Sequence, residues 1–435
     1  MGIELTTVVL LGGLFGLLLL GVPMAFALGA SAVVAAFTGF GFGSIDLIVS
    51  RTYGLVSMYA FGAVPMFLLT ASIIDRSGMA ADMYDAFRIW FSRVRGGIAV
   101  VTLVAAIFMA ATTGIIGGEI VLLGLVALPQ MLRVGYDRSL AIGVICAGGS
   151  LGTMIPPSIV LVIYGLATNT SVGDLFLAAI FPGIMMAVIY LTYILARCAI
   201  DPNLAPSETL RPEETTVSAK LKATRHLVLP TLIGGSVLGS IYSGVASVTE
   251  AATLGAAVSL VGAAFRKELS WPMLRDALKQ TLITSSALLW ITIGAFALIG
   301  VYNLLGGIAF ITDLFTDLPF SPYVIVLTMM LALVVLGLFM DWIGIALLTL
   351  PIFVPVVVEL GFDPVWFGVL FCMNMQISYL SPPFGPAAFY LKSVAPPEIK
   401  LGHIYSALWP FIIMQALAIG LLMAFPQIAL WLPGR

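Results

Sequence analysis

The chain has few charged residues. Only 9% of its 435 residues are Asp, Glu, Lys or Arg, with 19 Lys plus Arg against 21 Asp plus Glu. A soluble domain carries roughly 25% charged residues, so this composition excludes a soluble protein. No basic stripe is left for a nucleic-acid partner. Instead, 61% of the residues are hydrophobic, and their apolar runs could supply about ten membrane-crossing helices of about 20 residues each.

Cysteine and histidine are also scarce. The three cysteines, Cys146, Cys198 and Cys372, lie in or beside apolar segments without CxxC spacing, which argues against a disulfide framework or a zinc site. The two histidines, His226 and His403, are too far apart in sequence for a metal cluster. Because no His-Glu, Ser-His or Ser-Lys motif is present, an intramembrane enzyme has no catalytic pair to use. We expect no cofactor.

One polar segment divides the sequence into two apolar halves. Residues 201–226 are rich in proline and charge, as expected of a solvated linker. The halves share landmarks at a constant offset of 226 positions, although composition bias could also produce some matches because Gly and Pro are common here. The matched landmarks include Gly135-Tyr136-Asp137 with Gly361-Phe362-Asp363, and Pro156-Pro157 with Pro382-Pro383. We predict two structural repeats, residues 1–200 and 227–435.

The basic residues indicate how the repeats are oriented. The first half carries Arg76, Arg88, Arg93 and Arg95 in one loop, whereas the equivalent second-half stretch, 302–321, carries no Lys or Arg. Lys and Arg collect in cytoplasmic loops, so equivalent loops are predicted to lie on opposite sides of the membrane. This pattern indicates inverted repeats. Secondary transporters use this architecture, with the substrate site near the midplane of the bilayer.

Each half is predicted to make five crossings and one re-entrant hairpin of two short helices. In each half a later crossing is interrupted by its Pro-Pro pair. The first half should also carry amphipathic arms at 46–57 and 79–95, and the second half should repeat the whole arrangement. The hairpins are predicted at about 97–132 and 322–358, and the broken helices at 139–169 and 365–392.

The hairpin tips and helix breaks are where binding chemistry is expected. Backbone leaves the helical form at membrane depth only where it is buried in protein or lines a cavity. Proline removes an N–H donor and frees carbonyl groups on the preceding turn, which suit a small cation. The half-helix that follows points its N-terminus inward, which suits an anion. The alternative is that each Pro-Pro pair only kinks a packed helix.

Several stretches resemble the large membrane subunit of the TRAP (tripartite ATP-independent periplasmic) transporters. They are GGEIVLLGLVALPQMLRVGYDRSLAIGVICAGGSLGTMIPPSIVLVIYG, VTEAATLGA, GLFMDWIGIALLTLPIFVPVVVELGFDPVWFG and SPPFGPAAFYLK. The resemblance covers nearly the whole chain. It implies an all-α, elevator-type, sodium-coupled transporter of an organic acid in the bacterial inner membrane.

The resemblance also implies partners. A periplasmic substrate-binding protein would deliver the organic acid, and a small four-helix membrane subunit, absent from this chain, would complete the transporter. The alternative is a stand-alone ion-coupled carrier of dicarboxylates or other anions on a related fold.

The site residues follow from the tips and the breaks. The predicted sodium ligands are Thr112, Thr113, Gly114, Gly118, Gly152, Pro156, Gly337, Asp341, Gly344, Ser378 and Pro382. Since no Lys or Arg is expected at the depth of the tips, the substrate carboxylate should rely on hydroxyls and helix N-termini. The predicted substrate contacts are Thr113, Ser158, Ser381 and Gly385.

Five acidic residues need separate interpretations. Asp341 is an intramembrane acid at the second tip, and such acids are costly unless functional. It is predicted to bind sodium, with a hydrogen-bonded tip acid as the alternative. Glu119 follows the first tip and is either a coupling acid or a helix cap. Glu250 begins a helix as a cap or scaffold contact, and Asp137 and Asp363 are predicted to be turn or N-cap residues.

Overall fold

A computed structural model describes residues 2–91, 96–113, 117–206 and 216–435. Within these ranges every regular element is helical, which confirms the predicted all-α fold class. The first half contains α1 (Ile3–Leu19), α2 (Met24–Phe40), α3 (Ile45–Val56), α4 (Ala63–Arg76), α5 (Met79–Phe91), α6 (Gly97–Thr113), α7 (Gly118–Val134), α8 (Arg138–Ser150), α9 (Ile159–Thr168) and α10 (Val172–Ile200). Short 3-10 turns cover Gly41–Ser44, Tyr59–Gly62, Leu151–Thr153 and Pro202–Leu204.

The second half contains ten further helices. They are α11 (Val217–Tyr242), α12 (Val248–Phe265), α13 (Trp271–Leu304), α14 (Gly307–Thr316), α15 (Pro322–Gly337), α16 (Trp342–Glu359), α17 (Pro364–Leu380), α18 (Pro386–Val394), α19 (Leu401–Ala424) and α20 (Gln427–Leu430). In the described part of the chain, α10, α12, α13, α16 and α19 are each long and apolar enough to cross a membrane. Most other apolar helices are 10–17 residues long, so they reach membrane thickness only in combination.

The helix bounds of the two halves correspond at the offset seen in the sequence. Helix α8 begins at Arg138 and α17 at Pro364, and α3 begins at Ile45 and α13 at Trp271. Each pair of starting residues is 226 positions apart. The first predicted hairpin is formed by α6 and α7, and the second by α15 and α16. Each hairpin precedes a helix that is interrupted at a Pro-Pro pair.

One predicted correspondence is wrong. In the first half, α3 and the segment Tyr59–Arg76 are separate and bent by 58°. In the second half, the equivalent residues form the single helix α13, which runs unbroken for 34 residues. The first-half junction contains Gly54 and Gly62, and glycine disfavours the helix interior by about 1 kcal/mol relative to alanine. The second-half junction has no glycine between Trp271 and Ile293, so the helix continues.

The predicted helix caps are confirmed. The Asp137 carboxylate accepts a hydrogen bond from the Leu140 N–H at 2.9 Å, and Asp363 accepts one from Val365 at 2.7 Å. Glu250 forms a capping box with Ser247, whose backbone N–H it accepts at 2.7 Å. These bonds satisfy N–H groups that a helix start leaves unpaired.

The two interrupted helices form the centre of the fold. Every residue of α8 from Leu140 to Ser150 is buried, and so is every residue of α17 from Val365 to Leu380. Close packing against the first hairpin depends on glycine, because a Cβ at Gly149 would overlap the Ile120 side chain. The fold therefore buries nearly all of the first break, whereas Pro383 and Phe384 of the second break are exposed.

Candidate functional site

The break between α8 and α9 is braced by its own side chains. The Ser158 hydroxyl donates to the Thr153 carbonyl, and the Thr153 hydroxyl donates to the Ser150 carbonyl at 2.9 Å. The break then contains the 3-10 turn that precedes Pro156 and the cis bond from Pro156 to Pro157. Ser158 is fully buried. The hydroxyl of this predicted substrate contact therefore faces its own backbone.

Glu119 places a carboxylate against this break. Its side chain is buried, with 2% of the residue exposed. A Cβ built on Gly152 would lie 2.9 Å from Glu119 Oε2. Only a residue without a side chain lets the carboxylate approach the turn this closely. The structure therefore brings together Glu119 and Gly152, two residues that were predicted independently.

The described residues that follow the tip of the first hairpin, Gly117 and Gly118, lie against α18 and α4. The Thr112 hydroxyl donates to the Met109 carbonyl at 2.9 Å, within its own helix. A Cβ on Gly117 would be 2.8 Å from the Tyr390 ring, and one on Gly118 would be 3.2 Å from Asp75 Oδ2. Of the predicted tip residues, Gly114 and the Thr113 side chain lie outside the described residues. The start of α7 thus contacts Asp75, an acid of α4 that the sequence analysis did not single out.

The tip of the second hairpin rests on α17. A Cβ on Gly337 would overlap the Ser378 side chain, and one on Gly344 would overlap Met24 of α2. Asp341 is the residue before the first turn of α16 and is half-buried. Nearby, the Asn374 side chain of α17 donates to the Met330 carbonyl of α15 at 3.0 Å. The structure therefore groups the predicted residues Gly337, Asp341 and Ser378 around one tip.

The break between α17 and α18 resembles the first one. The Ser381 hydroxyl donates to the Ile377 carbonyl at 2.7 Å, and the Gly385 N–H donates to the Ser381 carbonyl at 2.8 Å. The bond from Pro382 to Pro383 is cis, and the Pro383 carbonyl accepts the Tyr405 hydroxyl at 2.8 Å. The predicted substrate contacts Ser381 and Gly385 therefore form hydrogen bonds within the second break, as Ser158 does within the first.

Two adjoining cavities connect the two tips. One has a volume of about 300 Å³ and the other about 410 Å³, and both are lined by Leu68, Thr284 and Tyr390. The first is also lined by Ile159, Leu288, Asp341, Trp342, Ile343, Tyr379, Phe384 and Pro386. The second is also lined by Ser72, Asp75, Arg76, Gly118, Gln280 and Thr281. The combined space separates the tips and breaks on one side from α4 and α13 on the other.

The cavity wall includes both acidic and basic groups. Asp341 and Asp75 contribute carboxylates, and Arg76 contributes a guanidinium that pairs with Asp276 of α13 at 3.5 Å. The sequence analysis expected no Arg at the depth of the tips. Here Arg76 lines the same cavity as Gly118, so that expectation is wrong. The reason is that α4 ends beside the first tip.

Tyr379 lies in the cavity wall with Asp341. Its ring centroid lies 6.4 Å from that of Tyr390. The hydroxyl is buried and has no hydrogen-bond partner among the residues that the structure describes. A buried hydroxyl without a partner is costly, so it is suited to a ligand. In the sequence, Tyr379 is marked only by its position before the Pro-Pro pair.

A family model and the sequences of known relatives match this chain over most of its length. Residues 11–428 match the family model described as "Tripartite ATP-independent periplasmic transporter, DctM component". The C4-dicarboxylate TRAP transporter large permease protein of Pseudomonas aeruginosa is 31% identical over 394 residues, covering 90% of each chain. The ectoine TRAP transporter large permease protein of Halomonas elongata is 30% identical and covers 98% of each chain.

A longer relative and a solved structure add to this comparison. The isethionate TRAP transporter permease protein DctMQ of Oleidesulfovibrio alaskensis is 26% identical over 97% of this chain but only 66% of its own length. The crystal structure of the Alcanivorax borkumensis YdaH transporter aligns with a TM-score of 0.65 and 16% identity, covering 93% of this chain and 97% of that one. At this identity the structural match shows a shared fold.

Proposed function

Because the chain belongs to the DctM component family of tripartite ATP-independent periplasmic transporters, we propose that it imports an organic acid by sodium-coupled secondary transport. Proteins of this family are multi-pass proteins of the bacterial inner membrane, and this chain is a transporter subunit rather than an enzyme. Sodium coupling, the substrate class and the partners are our proposals.

The single observation that carries the proposal is the cavity that joins both hairpin tips. It contains Asp341 from one tip and Asp75 beside the other, while Glu119 is buried against the neighbouring break. Carboxylates at membrane depth are costly unless a cation or a donor compensates them. Sodium ions bound at the tips and breaks would supply that compensation, and backbone carbonyl groups at the breaks would add neutral oxygen ligands.

An organic anion suits the remaining lining. Arg76 offers a guanidinium, Tyr379 and Tyr390 lie beside the same cavity, and Thr284 adds a hydroxyl. Hydrogen bonds to an ionised carboxylate are roughly twice as strong as neutral ones. The relatives named for C4-dicarboxylate and for ectoine both handle small molecules that carry a carboxylate, which supports the same substrate class for this chain.

The charges give a reason for coupling. An anion that enters the cavity alone meets Asp341 and Asp75, with Arg76 partly engaged by Asp276. Prior binding of sodium lowers this repulsion, so each ligand raises the affinity for the other. We propose that the hairpins and broken helices then move as one unit past α4 and α13, as in an elevator mechanism.

We also propose two partners, a small membrane subunit of four helices and a periplasmic substrate-binding protein. The family description calls the transporter tripartite and periplasmic. The DctMQ relative is a longer permease protein, of which this chain matches 66%, and the remainder leaves room for a second membrane component. Purification of the tagged chain from its native membrane should bring the small subunit with it. Sodium-driven uptake by the chain alone, without either partner, would favour the stand-alone carrier instead.

The test of sodium coupling is Asp341→Asn, which removes the charge and keeps the shape. In vesicles holding the complete transporter, the sodium concentration for half-maximal uptake should rise about tenfold, which corresponds to roughly 1.4 kcal/mol of binding free energy. The matched control is Asp313→Asn, which changes an exposed acid of α14. An unchanged sodium dependence in Asp341→Asn, at normal protein levels, would assign Asp341 a structural role.

A further inference from the structure

The two adjoining cavities between the hairpin tips differ in the chemistry of their walls. The cavity of about 410 Å³ has charged and polar groups in its wall, among them Asp75, Arg76 and Gln280. The cavity of about 300 Å³ is lined mostly by apolar and aromatic side chains, and Asp341 is the charged residue among them. We call the first cavity the charged end and the second the apolar end. The combined space therefore has two ends of unlike chemistry.

The helices α4 and α13 both show this change along their length. On α4, Arg76 lines only the charged end, whereas Leu68 lines both cavities. On α13, Gln280 lines only the charged end, Thr284 lines both cavities and Leu288 lines only the apolar end. Eight residues separate Leu68 from Arg76, and eight separate Gln280 from Leu288. The wall therefore changes from polar to apolar in one direction, over about 12 Å of helix.

Aromatic rings form the opposite wall of the apolar end. Trp342 begins α16, Tyr379 lies near the end of α17, Phe384 lies in the second break and Tyr390 lies in α18. The Tyr379 and Tyr390 rings have centroids 6.4 Å apart and planes inclined by 33°. Tyr390 lines both cavities, so its ring lies where they meet. Rings of this kind offer a large apolar contact area, which suits the hydrocarbon or aromatic part of a ligand.

The charges of the wall limit where a carboxylate can bind. Among the described residues that line the two cavities, Arg76 is the only basic one, and it lies at the charged end. A carboxylate at the apolar end would meet the like charge of Asp341. Sodium bound to Asp341 would neutralise that charge without leaving an excess of positive charge. Since an ionised carboxylate is costly to bury without a counter-charge, the space accommodates one carboxylate and not two.

We propose that the substrate is an organic acid with a single carboxylate and an apolar or aromatic body. The carboxylate binds at Arg76, and the body extends past Thr284 and Tyr390 to the aromatic wall of the apolar end. A dicarboxylate fits poorly, because its second carboxylate would lie with Asp341. This inference rests on the proposed function, since it specifies the substrate class of the same site.

Four probe ligands test the two ends separately. Phenylbutyrate has one carboxylate and an aromatic ring, adipate replaces the ring by a second carboxylate, butyrate lacks the ring, and phenylbutanol lacks the carboxylate. Binding is measured by saturation-transfer NMR on the complete transporter in nanodiscs with sodium, with empty nanodiscs as the background. Burial of the ring should make phenylbutyrate bind at least about tenfold more tightly than butyrate or adipate. Phenylbutanol should also bind at least about tenfold more weakly than phenylbutyrate, because it cannot pair with Arg76.

The outcomes separate this inference from the proposed function. Binding of adipate as tight as that of phenylbutyrate would overturn the inference and leave organic-acid transport intact. Equal binding of phenylbutanol and phenylbutyrate would show that the charged end does not select the ligand, and would also overturn the inference. Binding of none of the three acids would contradict both the inference and the proposed transport of an organic acid.

A gain of affinity provides a second test. Phe384→Arg adds a positive charge at the apolar end, so adipate should bind about tenfold more tightly than it does to the wild type, and phenylbutyrate should bind more weakly. A misfolded variant cannot produce such a gain, and the wild-type comparison is independent of this variant. The matched control is Phe320→Arg, which adds the same charge at an exposed residue that lines neither cavity. An equal gain in both variants, or a folded Phe384→Arg variant without any gain, would contradict the assignment of the apolar end.

Discussion

Single residues decide how closely charge approaches the helix breaks. Gly152 has no side chain, and this lets the Glu119 carboxylate lie against the turn before Pro156. Gly337 similarly lets the second hairpin rest on Ser378. Both glycines are in tight contacts where a methyl group would displace a polar neighbour. Close packing therefore explains why glycine occupies both positions, and this explanation is independent of metal binding.

The first prediction concerns Gly152→Ala. The added methyl would lie 2.9 Å from Glu119 Oε2, so the carboxylate must move away from the break. We expect sodium-driven uptake to fall about tenfold, the equivalent of roughly 1.4 kcal/mol. The control is Gly235→Ala, since a methyl group there, in α11, meets no atom within 4 Å. Normal uptake in Gly152→Ala would show that the position of Glu119 is unimportant for transport.

The second prediction concerns Arg76, the basic residue that the sequence analysis placed away from the tips. In Arg76→Gln the cavity keeps a polar group but loses its positive charge. A hydrogen bond to a charged group contributes about 1.5–3 kcal/mol, so the substrate concentration for half-maximal uptake should rise at least about tenfold. The ion pair with Asp276 is partly exposed and adds little stability, so the thermal midpoint should change little.

Arg133→Gln provides the comparison for Arg76→Gln. Arg133 is an exposed residue in the last turn of α7, at the opposite end of that helix from Gly118, which lines the cavity. Its substitution should leave the substrate dependence unchanged. If Arg76→Gln and Arg133→Gln behaved alike in uptake assays, the cavity beside Arg76 would not be the anion site.

Helices at equivalent positions of the two halves are not all alike, as α3 and α13 show. The arm α3 bends away from the following segment by 58°, whereas α13 continues unbroken through the equivalent position. Thr281, Thr284 and Leu288 of α13 consequently line the cavity from one continuous surface. A rigid wall on this side suits a scaffold, against which the hairpins and interrupted helices would be displaced.

The third prediction concerns the Pro-Pro pair of the first break. Replacing Pro156-Pro157 by Ala-Ala restores two N–H donors, and each interior proline costs a helix about 3 kcal/mol. The helix is expected to close across the break, so the protein should remain folded while uptake is lost. The same change at Pro382-Pro383 should have the same effect.

Thermal stability and uptake must be measured together for these variants. Pro129→Ala is the control, because Pro129 lies inside the continuous helix α7, where alanine only straightens the helix. Normal transport by the double-alanine variant would contradict a role for the break in binding. A variant that no longer folds would support the alternative in which the prolines serve packing alone.

At the scale of the whole molecule, the orientation of the halves is a prediction from charge. Asn203 lies in the linker and Ser321 precedes α15, and both are exposed. Single cysteines at these positions, with Cys146, Cys198 and Cys372 replaced, should react with an impermeant maleimide from opposite sides. Ser321→Cys should react from the periplasm and Asn203→Cys only after the membrane is opened. Reaction of both from the periplasm would contradict the inverted arrangement.

The sequence alone determined the elements and much of the architecture. Low charge and long apolar runs dictate helices, because lipid leaves no other partner for backbone N–H and C=O groups. Asp137, Asp363 and Glu250 were predictable as caps because capping depends on residues within one turn. The landmarks at a constant offset, and the Pro-Pro pairs among them, located the hairpins and breaks without any tertiary information.

Only the tertiary structure decided which side chains share a space. Asp75 and Arg76 are neighbours in α4 but lie far in sequence from Tyr379, and the approach of all three to the tips depends on how α4, α17 and the hairpins pack. The directions of the Ser158 and Ser381 hydroxyls were likewise undetermined, because a serine at a break can face its own backbone or a ligand. Local periodicity specifies a helix and its faces. The contents of a cavity depend on several helices at once, and that information is absent from any single stretch of sequence.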